Sequence, residues 1–248
     1  QKGRQRQFYQ FGVEAVGSPF AEQDAEVISL AYNIYKNFKI ENIQVKINSI
    51  GSSDVRPAYL DLLRKSIKKY IDSFCNNCNY RLENNALRLF DCKNLKCNEI
   101  LIDKAPFIFD SISPKDHEHF NELIKRLDEM QIPYIHDNSL VRGLDYYTQT
   151  TFEIVSSSLG SQDALCGGGR YNDLVEKIGG KSTPAVGFAA GVERLILAME
   201  KNLDLNTAID IYLISIGQEA NIFASTLANK LRNYNKTVVL ETLRRSMK

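Results

Sequence analysis

The chain has 248 residues, 44% of them hydrophobic and 25% charged, with a formal net charge of +1. That is an ordinary globular composition, long enough for one large domain or two smaller ones. No run approaches the ~18 apolar residues of a membrane span and the N-terminus is no signal peptide, so a cytoplasmic protein is the default expectation. The near-neutral charge does not announce nucleic acid, so any RNA contact must come from local patches. Five cysteines in a chain of this length do not suggest a secreted disulfide scaffold.

Phe8, Phe11, Val13 and Val16 favour a first strand by content. Ser18-Pro19 predicts a helix start, and Val27, Leu30, Ala31, Ile34, Tyr35 and Phe38 follow at helical spacing. Ile43, Val45 and Ile47 alternate with Gln44, Lys46 and Asn48, the pattern of a half-buried strand, and 48–53 reads as a loop. From Arg56 the character changes. Leu60, Leu63, Ile67 and Phe74 make a helical stripe that carries Arg64, Lys65, Lys68 and Lys69 on its opposite face. Such a face is either simply solvated or a weak site for RNA phosphates. Cys75-x-x-Cys78 and Cys92-x4-Cys97 come next, a spacing compatible with tetrahedral zinc, although the second pair is not CxxC. Ser113-Pro114 predicts another helix, buried through Leu123, Leu127 and Met130, with His117 and His119 on the surface.

The most informative stretch is LVRGLDYYTQTTFE, 140–153. Thr150, Thr151, Phe152, Ile154 and Val155 read as a strand, so Arg142, Asp145, Tyr146 and Tyr147 precede a strand inside a sheet. An arginine there must be paired or solvated, and its planar fork suits a carboxylate or phosphate. A hairpin is expected at 159–163. Gly167-Gly168-Gly169 then costs entropy in a strand and packs nothing, which asks for a close approach, usually of a ligand. It is neither a P-loop nor a dinucleotide fingerprint. Gly187 and Gly191 flank the start of a helix buried through Leu195, Ile196 and Met199, with Arg194 between apolar neighbours. A polar linker at 201–207 leads to a strand at 210–216, a helix at 219–234 with Ile222, Phe223, Leu227 and Leu231 inward, and a strand at 237–240. That order suggests parallel pairing.

RGLDYY resembles the histidine-specific signature of the histidyl-tRNA synthetases. ALCGGGRYNDLV (164–175) resembles the family's second histidine signature, AVGFAAGVERLILAME (185–200) motif 3 of class II aminoacyl-tRNA synthetases, and GRQRQFYQFGVEAVG (3–17) the later half of motif 2. Four motifs in the family's order, spread over essentially the whole chain, are far more specific than any one. The resemblance implies a mixed α/β (α+β) fold: a class II catalytic domain on a mostly antiparallel sheet (1–53 and 131–203), an insertion domain (54–130) placed against the tRNA acceptor arm, and the start of an α/β anticodon-binding domain (208–248). It implies a cytoplasmic, homodimeric, ATP-dependent ligase that activates L-histidine with ATP and magnesium and transfers it to the tRNA for histidine. Arg142 matches the catalytic arginine, bridging α-phosphate and carboxylate. Arg194 matches the ATP-holding arginine of motif 3. Gln10, Glu14, Tyr146, Tyr147 and Tyr171 match histidine-binding positions. Glu14 would accept from the imidazole N–H, and Tyr147 would donate to the other nitrogen. Gly12, between Gln10 and Glu14, would keep space open above their strand face.

Two further expectations follow. The insertion does not generally require metal in this family, so the cysteines at 75, 78, 92 and 97 are read as reduced structural thiols, with no metal. The chain begins inside a motif without an initiator Met. Motif 1, the arginine-bearing half of motif 2 and an upstream histidine-binding loop are absent, as expected of a segment of a longer protein, which by itself would be inactive. The rival readings are a synthetase-like regulatory subunit of histidine biosynthesis and an RNA-sensing module.

Overall fold

The computed structural model describes residues 6–143, 145–157, 159, 163–199 and 209–242. The chain forms two compact units, divided between residues 201 and 202. The linker at 201–207 lies outside the described residues, as do 160–162 of the expected hairpin.

The first unit is built on a six-stranded sheet in the order β1-β6-β5-β4-β2-β3. Its strands are β1 (Gln10–Val16), β2 (Ile43–Ser49), β3 (Tyr134–His136), β4 (Thr148–Ser156), β5 (Ala164–Arg170) and β6 (Ala185–Gly191). All neighbours run antiparallel except β2 and β3. Two long helices, α1 (Ala21–Asn37) and α5 (Pro114–Glu129), cover one face. Side chains alternate across a strand, and the large apolar ones go to that covered face: Val45, Ile47, Phe152, Ile154, Val186 and Phe188 meet Ile28, Ala31, Tyr35, Phe120 and Leu123.

The same alternation leaves small residues on the other face. Gly12 on β1 pairs with Ala189 on β6, Ala189 with Gly167 on β5, and Gly167 with Glu153 on β4. One row along, Glu14 pairs with Gly187, Gly187 with Gly169, and Gly169 with Thr151. The result is a floor of glycine and alanine with a few polar side chains standing on it. β1 shows it most plainly, exposing Gln10, Gly12 and Glu14 while half-burying Phe11, Val13 and Ala15.

The insertion is a separate helical cluster within this unit. It contains α2 (Arg56–Ile67), α3 (Asn76–Asn84), α4 (Leu95–Lys104) and three short 3-10 turns, packed round Tyr59, Leu63, Ile67, Leu89, Leu101 and Ile108. The single helix expected from Leu60 to Phe74 breaks at Ile67 and continues as a 3-10 turn, Lys68–Ser73. Helix α5 packs in the sheet core through Phe120, Leu123 and Leu127, whereas Ile108 and Ile112 pack in the insertion's cluster. The insertion also brings together the thiols of Cys75, Cys78, Cys92 and Cys97, all unoxidised and mutually within 4.8 Å.

Other expectations are corrected by burial. His119 is not a surface residue: its side chain is 10% exposed and its Nε2 lies 2.5 Å from Asp24 on α1. His117 packs edge-on against Phe109, with ring centroids 4.9 Å apart. Residues 185–191 are strand β6, and the helix α7 (Val192–Met199) begins only after Gly191. Ile196, Leu30, Phe38 and Met130 are exposed, because each helix turns a narrower stripe inward than its apolar content suggests.

In the second unit, β7 (Ile211–Leu213) and β8 (Val238–Leu240) pair in parallel, as their order around α8 (Gln218–Asn233) predicts. The helix is buried through Ala224 and Ala228, while Ile222 and Phe223, expected inward, are exposed.

Candidate active site

The loop from Asp137 to Tyr147 carries Arg142, and side chains from far along the chain shape it. Asn48 on β2 donates from Nδ2 to the carbonyls of Asn138 (3.2 Å) and Leu140 (3.0 Å). Lys46 pairs with Asp137 at 3.1 Å. From the insertion, Asn85 donates to the Asp145 carboxylate at 2.9 Å. Arg56 donates to the Asp145 carbonyl at 2.6 Å and also to the Tyr147 carbonyl. Burial lowers the Arg56 pKa, but guanidinium starts so high that the cation persists. Arg56 is therefore a clasp on this loop.

So held, Arg142 lies across the small-residue floor. Its Nη1 donates to Glu153 Oε1 at 2.9 Å, and its Nε is buried with no hydrogen-bond partner among the described residues. Gly167 is what admits it: a Cβ there would stand 2.3–2.5 Å from the guanidinium. The glycine triplet thus answers to the protein's own groups. A Cβ on Gly168 would meet the Gly187 carbonyl and the Phe152 ring, and one on Gly169 would meet the Thr150 carbonyl and the Tyr147 ring. Gly12 is corrected in the same way, since its Cβ would stand 2.3 Å from the Phe188 carbonyl on β6. Gly187 makes room for the Glu14 carboxylate.

Arg142 opens onto a cavity of about 380 Å³ lined also by Phe8, Gln10, Glu153, Gly167, Glu193 and Arg194. Arg194 Nη1 donates to the Ala164 carbonyl at 2.7 Å. Glu193 accepts from the backbone N–H of Tyr9 at 2.9 Å, which fixes the chain leading into β1. Sequence reasoning missed both carboxylates. Glu153 did leave a signal, as the lone charge in the apolar run TTFEIV.

The remaining expected residues gather beside this cavity, one row further along the floor. Tyr146, Tyr147 and Tyr171 form an aromatic group, with Tyr146 4.6 Å from Tyr147 and 5.7 Å from Tyr171 between centroids. The Tyr171 hydroxyl donates to Glu14 Oε2. Burial, and then the bond to Glu14, raise the Tyr171 pKa, so it is a protonated donor at neutral pH. Burial also raises that of Tyr147, whose hydroxyl bonds to Tyr146. Tyr147 is only 7% exposed, which makes Tyr146 and Tyr171 the more accessible hydroxyls. Gln10 stands with the arginines, not with Glu14. Behind this group Gln149, at φ 45° beside a bulge in β4, donates to Asp116 at 3.0 Å and accepts from Asn172 at 3.0 Å. Burial raises the Asp116 pKa, but hydrogen bonds from Ser113, Gln149 and Ser52 outweigh it and hold the carboxyl below its usual range.

Of the basic insertion residues, Arg64 turns back to the Leu82 carbonyl at 3.3 Å, whereas Lys65, Lys68 and Lys69 are exposed. No helix among the described residues is long and apolar enough to cross a membrane.

A mostly antiparallel sheet with helices on one face, a small-residue floor on the other and an arginine laid across that floor defines a fold of the class II aminoacyl-tRNA synthetase kind. A model of the histidyl-tRNA synthetases matches residues 1–195, and the chain belongs to that family. A histidine–tRNA ligase of Halothermothrix orenii is 46% identical over 251 residues, and one of Caldanaerobacter subterraneus is 43% identical; each alignment takes in 100% of this chain and 60% of the relative. The chain therefore spans about 60% of the length of these curated relatives. The structure of apo Staphylococcus aureus histidyl-tRNA synthetase superposes with a TM-score of 0.70 at 35% identity, over 98% of this chain and 60% of that one.

Proposed function

We propose that the protein containing this chain is a histidine–tRNA ligase. In this reading it joins L-histidine to ATP as an adenylate, releases pyrophosphate, and passes the histidyl group to the 3′-terminal ribose of the tRNA for histidine. The observation that carries the reading is Arg142, clamped by Glu153 over Gly167 and lining the cavity together with Arg194. When a carboxylate attacks the α-phosphorus, charge grows on the phosphate oxygens, and a fixed donor aimed there lowers the barrier. Arg142 is that donor, Arg194 holds the nucleotide, and Gln10 steadies the substrate between them. Glu153 and Glu193 offer the hard oxygen ligands that suit a magnesium ion carried on a polyphosphate. Magnesium would neutralise the pyrophosphate leaving group. The test is histidine-dependent ATP–pyrophosphate exchange by the intact protein, followed by tRNA charging. Exchange that ignores histidine would remove the reading. The names of the curated relatives do not favour a regulatory paralogue.

Histidine specificity falls to Glu14, Tyr146, Tyr147 and Tyr171. Imidazole has one N–H donor and one acceptor nitrogen. Glu14 accepts from the first, and a tyrosine hydroxyl donates to the second. Glu14→Gln keeps size but removes the charge and puts a donor where an acceptor is needed. Histidine affinity should fall by about 1.5–3 kcal/mol, the cost of losing a hydrogen bond to a charged group, with ATP affinity nearly unchanged. Titration of both ligands decides it, and a histidine affinity within about twofold of wild type, under 0.5 kcal/mol, would remove the assignment.

The tRNA would meet the insertion through Lys65, Lys68 and Lys69, with Arg64 beside them, and the enzyme would work as a homodimer in the cytoplasm. Changing these four to Gln should weaken tRNA binding and flatten its salt dependence, because each lost phosphate contact releases fewer counterions. Pyrophosphate exchange without tRNA should continue. Unchanged affinity at low salt would make the face merely solvated.

A further inference from the structure

We propose that Cys75, Cys78, Cys92 and Cys97 are the four ligands of a structural zinc ion that ties α3 to α4 inside the insertion. Their sulfurs come from four separate places: Cys75 at the cap of α3, Cys78 in its first turn, Cys92 after a 3-10 turn, and Cys97 in the first turn of α4. All four lie within 4.8 Å of one another, and Cys75 Sγ is 3.9 Å from Cys92 Sγ. A tetrahedron with Zn–S bonds of about 2.3 Å has S···S edges of about 3.8 Å, so the observed cluster needs only slight contraction. Two disulfides would need only pairs of sulfurs about 2.05 Å apart, not a fourfold convergence.

Three features of the surroundings support a metal. Cys78, Cys92 and Cys97 are buried and Cys75 is half-buried, which makes a closed site of the structural kind with no open position for a substrate. Backbone donors already face the sulfurs: Cys75 N–H points to Cys97 Sγ at 3.3 Å, and Asn94 N–H to Cys92 Sγ at 3.4 Å. Such bonds orient metal ligands and offset thiolate charge. Cys78 and Cys97 also occupy first turns of helices, where the positive end of the dipole favours a thiolate. Binding moves no electrons. Zn²⁺ enters as four thiols release four protons to solvent, leaving a doubly negative centre with Lys93 and Lys96 exposed beside it in the chain.

The fold has a use for the ion. α3 has 9 residues, α4 has 10, and the one turn described between them, Ala86–Asp91, is 3-10. Elements this short bury little, and small clusters of this type gain stability from a metal staple. The expectation of reduced thiols without metal rested on their spacing and on the family at large, neither of which shows the convergence.

The experiment is metal analysis of the intact protein purified under reducing conditions without chelator. One zinc per chain is expected, released by a mercurial in step with thiol modification. Cobalt substitution should give the thiolate charge-transfer bands and intense tetrahedral d–d bands of an all-sulfur site. Cys78→Ser and Cys97→Ser should bring zinc to background, whereas Cys166→Ala, a change far from the cluster, should leave it. Should those variants fail to fold, wild-type protein stripped by chelator serves instead. It should expose the insertion to proteolysis and regain protection when zinc alone is added back. Metal-free wild-type protein with four reactive thiols, two disulfides by mass, bound iron, or zinc unchanged in the serine variants would each overturn the proposal.

Discussion

Arg142→Ala in the intact protein should lower the rate of histidine adenylation by about 10²–10³, as loss of a transition-state donor does. Ground-state histidine binding should fall much less, because Glu14 and the tyrosines stay in place. Arg142→Lys should recover little, since a point charge cannot replace a planar fork. Gly167→Ala gives an independent handle. Its Cβ would stand 2.3–2.5 Å from the guanidinium, the far end of a flexible side chain, so Arg142 would be displaced while the strand survives. Adenylation should drop with little change in unfolding free energy. Pyrophosphate exchange measured against both substrates separates kcat from KM. An unchanged rate, or losses in histidine affinity as large as those in rate, would remove Arg142 from the chemistry.

Asp24→Asn should cost about 3–5 kcal/mol of folding stability, the price of leaving a buried charge without its partner. Asp24 and Arg170 both have 0% exposed side chains, and Arg170 Nη2 lies 2.8 Å from Asp24 Oδ1. The same carboxylate accepts from Thr150 at 2.9 Å and faces His119 at 2.5 Å. Arg170 also donates to the carbonyls of Ser18 (2.8 Å) and Phe20 (3.0 Å), so the pair fastens the start of α1 to the end of β5. Folded domains are stable by only about 5–15 kcal/mol, so most of the margin would go. Asp24→Leu combined with Arg170→Met should be less harmful than either change alone, since an apolar pair strands no charge. Urea unfolding provides the measurement. A loss below about 1 kcal/mol in Asp24→Asn would mean the buried arginine finds enough compensation in its carbonyls.

This pair also marks where sequence reasoning stops. Its members are 146 residues apart, and neither has a local pattern that announces the other. The Arg56 clasp and the inward turn of His119 were hidden for the same reason: their partners are 89 and 95 residues away. What was legible was periodic or chemically unusual. The alternation around Val45 and Ile47 became β2, and the strand–helix–strand order after 210 became a parallel pair. Arg142, Arg194 and Gln10, charged or polar where apolar neighbours dominate, do line one cavity. The glycines were legible as necessary but not as to cause. A missing Cβ looks the same in sequence whether a ligand, a guanidinium or a neighbouring strand fills the space. Helix margins such as Ile222 and Phe223 were misjudged because apolar content overstates the width of the buried stripe.

The clasp by Arg56 has a consequence for the order in which the molecule comes together. The described residues of the loop bearing Arg142 hold no regular secondary structure, and they are held by Asn48 upstream and by Arg56 and Asn85 from the helical insertion. Docking of those helices brings the Arg56 guanidinium that holds the Asp145 and Tyr147 carbonyls. During refolding, the central strands should gain amide protection early, and the loop should become ordered only with the insertion. The loop that bears Arg142 is then among the last to mature, and the insertion acts as the mould in which it sets.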